Sequence, residues 1–93
     1  MTKLYVGDVG SEIILETGMD LTGALSLNII GRRPDFSEFV WTATQHELTH
    51  VKHVTALDEL NMDGIWTLQS DVEMLNGNWL GESVSLEIFR KFN

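Results

Sequence analysis

Apolar and polar residues alternate with a period of about two through most of the chain, and the helical period is weak, so the pattern predicts strands. Leu25, Leu27 and Ile29 alternate with Ser26 and Asn28. Trp66, Leu68, Val72 and Met74 share one face with Ser70 among them, while Thr67, Gln69, Asp71 and Glu73 take the other. Val84, Leu86 and Ile88 alternate with Ser83, Ser85 and Glu87. Such segments are half-buried strands with one apolar and one wet face. Turn residues punctuate them: Gly7-Asp8-Val9-Gly10, the Gly18–Gly23 stretch, Arg33-Pro34-Asp35 and the hairpin signal Asn76-Gly77-Asn78. The predicted strands cover about 3–7, 12–16, a third ending near 31, and about 39–45, 49–56, 65–74 and 82–89. About seven strands at near-regular spacing predict an all-β sandwich.

Composition narrows the function more than the fold. The chain has 93 residues, one proline, no cysteine and no low-complexity stretch, and residues 1–93 read as a single domain. Lack of cysteine removes disulfides, cysteine-type zinc sites and thiol nucleophiles, and fits a reducing cytosol. No apolar run is long enough to span a membrane, and MTKLYVGDVG does not read as a signal peptide. Fourteen acidic residues against six basic ones give a formal net charge of −8. That charge repels phosphate backbones and anionic lipid, so neither nucleic acid nor membrane is an expected partner.

One segment carries a sharp chemical motif. His46-Glu47-Leu48-Thr49-His50 matches the H-E-x-x-H pattern of zinc proteases, and His53 adds a third imidazole. On a helix, His46 and His50 would grip zinc while Glu47 acted as general base. The flanks, Trp41–Thr44 and Val51–Thr55, are rich in β-branched and aromatic residues that favour strands. As strands, Val51, His53 and Thr55 face one way and His50, Lys52 and Val54 the other. His46-Glu47-Leu48 becomes a loop, the three imidazoles diverge, and His53 is a candidate buried, hydrogen-bonded histidine. The expectation is therefore no metal, no cofactor and no enzyme. Glu59-x-Asn61-x-Asp63-Gly64 matches the start of an EF-hand loop only in part: position 1 should be aspartate, and position 12 is Ser70. A solvated turn is the simpler reading, with a weak calcium site in the 58–64 loop as its alternative. Trp41, Trp66 and Trp79 are chiefly core candidates. Trp79, after a turn, is the first choice for a contact residue, with Trp41 second.

Gly64-Ile65-Trp66-Thr67-Leu68 resembles the E–F corner of immunoglobulin-like domains, Gly-x-Tyr-x-Cys, with Trp66 at the tyrosine place and Leu68 at the cysteine place. Without a tyrosine hydroxyl, the corner's backbone hydrogen bond is not expected in the same form. Four stretches extend the likeness: Leu4–Gly10 with Glu12-Ile13; Arg33-Pro34-Asp35 before Trp41–Thr44; Asp58 and Leu60 before Gly64–Gln69; and Gly81-Glu82 before the last strand. Together they resemble the small immunoglobulin-like virion proteins of tailed bacteriophages and the N-terminal domain of phage upper-baseplate proteins. The chain departs from them by ending where a baseplate protein continues into a fibre. It also carries Phe36-Ser37 where glycine commonly follows the Pro-Asp pair. The resemblance implies an immunoglobulin-like β-sandwich of mostly antiparallel strands. It also implies a non-enzymatic virion component, made in the bacterial cytoplasm, whose partners are other virion proteins in a symmetric assembly. The alternatives are a module binding host-surface glycan or a receptor through Trp79 and Trp41, and the zinc hydrolase.

Overall fold

In the computed structural model, which describes residues 3–92, the chain is an all-β sandwich of two sheets. In chain order the strands are β1 (Leu4–Tyr5), β2 (Glu12–Glu16), β3 (Ser26–Arg32), β4 (Glu38–Thr42), β5 (Thr44–His46), β6 (His50–Val54), β7 (Gly64–Met74), β8 (Gly77–Leu80) and β9 (Val84–Phe89). The large sheet runs β1-β9-β7-β3-β4, with β8 also paired to β7; the small sheet runs β2-β6-β5. All pairings are antiparallel except β1 with β9. This order follows the immunoglobulin plan, in which strands C, F and G share one sheet and B, E and D the other.

The additional strands have two causes. The stretch expected at 39–45 is β4 and β5, because the chain crosses between sheets at Ala43. That residue is buried, and its N–H donates to Leu27 O at 3.0 Å. The second cause is the length of β7: β9 pairs with its first half, Gly64–Leu68, and β8 with its second, Asp71–Met74. The turn residues of the β7–β8 hairpin are Leu75 and Asn76, and Gly77 already opposes Met74.

Inward-facing positions of both sheets make the core. Trp66, Leu68, Ser70 and Val72 of β7 are buried, as alternation requires, and so are Ile29, Trp41, Ile13, Leu15 and Val51 from the strands around them. Each such large apolar side chain stabilises the fold by about 1.5–3 kcal/mol on burial. An aromatic cluster fills one end: Phe39 lies 4.5 Å from Trp41 and 5.5 Å from Trp66, ring centre to ring centre, and the Arg33 guanidinium covers both Phe39 and Trp66. Trp66 restores the corner bond by other means. Its indole N–H donates to Met62 O at 3.1 Å, four residues upstream, where a tyrosine hydroxyl would have reached back to the backbone.

Candidate functional site

The histidine segment is a hairpin. β5 and β6 flank the turn Glu47–Thr49, and Glu47 takes φ of 57° within it. The helix that H-E-x-x-H needs is absent, and Glu47 sits at an exposed turn. The expected divergence of the three imidazoles holds for only one of them. His46 and His50 are direct cross-strand partners, and such partners share a face of the sheet. Their rings meet edge to face with centres 6.4 Å apart. His50 Nε2 is 2.8 Å from Glu16 Oε2, which also accepts from Thr49 Oγ1 at 2.9 Å. His46 Nε2 lies 3.6 Å from Glu47 Oε1. These contacts tie the end of β2 to the start of β6. Among the described residues, no three His, Asp or Glu side chains are placed to hold one metal ion.

His53 points to the other face, into the sandwich. Its ring stacks on Trp41 at 4.7 Å and 15°. Nδ1 is 2.7 Å from Thr42 O and Nε2 is 2.7 Å from Glu59 Oε1. A carbonyl and a carboxylate are both acceptors, so each ring nitrogen of His53 faces an acceptor, one on the backbone and one on the acidic loop. Glu59 also accepts from Ala56 N–H at 2.7 Å. Glu59, the first residue of the EF-hand-like stretch, is thereby turned inward to close the sandwich, with both bonds on its Oε1.

Of the two expected contact residues, Trp41 is only 4% exposed, so its ring belongs to the core and no partner can reach it. Burial against Phe39, Trp66 and His53 is the reason. Trp79 is 43% exposed. It opposes Val72, which opposes Leu27, while Met74 opposes Gly77. Cross-strand partners share a face, so these side chains form one apolar strip on the inner face of the large sheet. A Cβ on Gly77 would lie 2.8 Å from the Trp79 ring, so glycine gives the indole room to lie flat along β8. Leu25, beside this strip, is 61% exposed, and Leu75 at the hairpin tip is 90% exposed. A second open surface escaped the sequence reading, the edge of β2. Its signal was Ile14, an apolar residue between Glu12 and Glu16 where alternation calls for a polar one. Comparison with protein-family models, with curated proteins and with solved structures finds no match to this chain.

Proposed function

We propose that this chain is a non-enzymatic structural component of a tailed-phage particle. It serves as a tail, baseplate or neck adaptor or as a surface decoration, and it docks on a larger assembly made of other virion proteins. One observation carries the reading: the apolar strip of Leu25 and Trp79, continued by half-buried Met74 and with Leu75 at its tip, is left open at the end of the large sheet. Exposed apolar groups clustered around an indole are the usual centre of a protein interface. The H-E-x-x-H residues lie in a hairpin and Glu47 occupies its turn, which supports a role without catalysis. The charge of −8 suits a basic docking surface and limits self-association away from the particle.

Mass spectrometry of purified particles of the source virus tests the role directly. The chain is expected among the particle proteins, and a Trp79→Ser, Leu75→Ser double variant is expected to fold but to be missing from particles. Particles that lack the wild-type chain overturn the proposal. If they lack it while a carbohydrate array gives a signal that Trp79→Ala removes, glycan recognition takes its place.

A further inference from the structure

We infer that the open edge of β2 receives an extended strand from a partner protein, with apolar residues facing into the sandwich and lysine or arginine facing out. The inference deepens the docking role proposed above by naming a second contact and the chemistry of what fills it. Among the described residues, β2 pairs only with β6, and β9 is covered by β1 only at Ile88 and Phe89. On that side the two sheets therefore end, among the described residues, in unpaired backbone. A groove of about 690 Å³ opens between them, with Ile13, Leu15, Leu68, Val84 and Leu86 in its walls.

The hydrogen-bonding capacity of this edge follows from register. Thr17 N–H donates to Thr49 O, and Ser11 O accepts from Thr55 N–H, so the odd-numbered residues of β2 aim their amides at β6. The amides and carbonyls of Glu12, Ile14 and Glu16 aim at the groove. Five residues offer a ladder about 17 Å long. An exposed strand edge is normally blunted by proline, a bulge or charged side chains; β2, Glu-Ile-Ile-Leu-Glu, has no proline or bulge, and its charges are the carboxylates of Glu12 and Glu16 at its two ends.

Charge selects the occupant. Among the described residues, Glu12, Glu16 and Glu87 line the groove against a single cation, Lys3, while Lys52 on β6 lies 3.6 Å from Glu12. Glu16 is held by His50 and Glu12 lies within reach of Lys52, so Glu87 is the groove acid with no ion pair among the described residues, and all three carboxylates stay on the rim that an incoming strand meets. A second copy pairing antiparallel about Ile14 would set Glu12 against the other Glu16 at both ends, and like charges directly opposite disfavour pairing. A strand alternating Lys or Arg with apolar residues meets the groove and its rim together.

Backbone amide exchange, read by NMR on the intact protein, is the test. The probe is a short synthetic peptide alternating lysine with valine, and the control has glutamate in place of lysine. The lysine peptide is expected to slow exchange at Glu12, Ile14 and Glu16, and the control is expected not to. Ile14→Pro, which removes one edge donor where proline is tolerated, is expected to abolish the effect. The double variant Glu12→Lys, Glu87→Lys is expected to weaken binding by about fivefold or more. No protection by the lysine peptide, or equal protection by the control, overturns the inference. Concentration-dependent protection of the same amides without peptide also overturns it, in favour of a second copy. A chain present in particles whose edge takes no strand refutes this inference alone; a chain absent from particles refutes the docking role and leaves the peptide result intact.

Discussion

His53 Nε2 and Glu59 Oε1 are 2.7 Å apart, and this one contact joins the small sheet to the acidic loop before β7. The pair is mostly buried, with side chains 12% and 25% exposed, and the imidazole is backed by the Trp41 ring. Burial pushes the Glu59 carboxyl up. The hydrogen bond from His53, that from Ala56 N–H and the attraction of the His53 charge outweigh burial and hold it below the ordinary value of 4.5.

A pH dependence follows. A carboxyl held lower in the folded state than in the unfolded chain contributes stability that is fully present above the unfolded value and is lost as pH falls through the folded one. Stability should therefore decline from about pH 4.5 downward through this group. Glu59→Gln keeps an acceptor for His53 but removes the charge. It is expected to cost about 1–3 kcal/mol at neutral pH, as loss of a hydrogen bond to a charged group does, and to flatten the acid limb. Urea unfolding of both proteins across that limb checks it; an unchanged limb in the variant means that other carboxylates carry the acid sensitivity.

The Trp66 indole bond to Met62 O offers a second measurement. Trp66 is 0% exposed, so Trp66→Phe removes both a hydrogen bond and ring volume from a filled site. A loss of about 2–4 kcal/mol is expected. Trp66→Tyr should recover part of it if its hydroxyl reaches a nearby backbone carbonyl. Tyrosine no better than phenylalanine would show that shape alone, and not the bond, holds the corner.

Much of the fold was legible because the chemistry is local. Alternation placed Trp66, Leu68, Val72 and Ile29 inside, and β2 begins and ends where the pattern puts it. Val51 and Thr55 are buried and Lys52 and Val54 turn outward, as the strand reading requires. The elements that were missed depend on distant pairing. β8 exists because β7 outruns β9 and needs a second partner; Asn76-Gly77 announces the turn, but not that a separate short strand follows it. The histidine geometry was half legible. Parity alone sends His53 to the opposite face from His50, but the facing of His46 and His50 depends on the register of a tight turn. Its place after a turn ranked Trp79 above Trp41 as a contact residue, but that Trp41 is fully covered depends on Phe39 and His53 packing over it, which no local pattern shows.

Ser70 is the polar exception in the apolar row of β7. It is 1% exposed, and its hydroxyl has no hydrogen-bond partner among the described residues. A buried hydroxyl without a partner has lost water and gained nothing in return. Ser70→Ala should raise stability by about 1 kcal/mol, which for a domain of this size is a rise in Tm of roughly 4–8 °C. A larger residue should not help, because Gly81 lies against the hydroxyl so closely that even a Cβ on the glycine would overlap it. Ser70→Val is therefore expected to lower Tm. Loss of stability in Ser70→Ala would show that the hydroxyl is satisfied in solution.

Phe36 closes the β3–β4 turn with φ of 70°, a left-handed conformation that costs a β-carbon-bearing residue about 1–2 kcal/mol. The turn gains nothing from the ring, which is 76% exposed. Its order comes from neighbours: Phe36 N–H donates to Arg33 O at 2.9 Å, and Asp35 Oδ1 accepts from Ser37 N–H and Oγ. Phe36→Gly relieves the strain but gives the unfolded chain more freedom to lose, so a net gain of about 0.5–1 kcal/mol is expected. Phe36→Ala keeps the strained φ and serves as the control. Thermal unfolding should place glycine above both phenylalanine and alanine. If alanine equals glycine, the backbone angle is not what limits the turn, and the exposed ring must be interacting in a way that both substitutions remove.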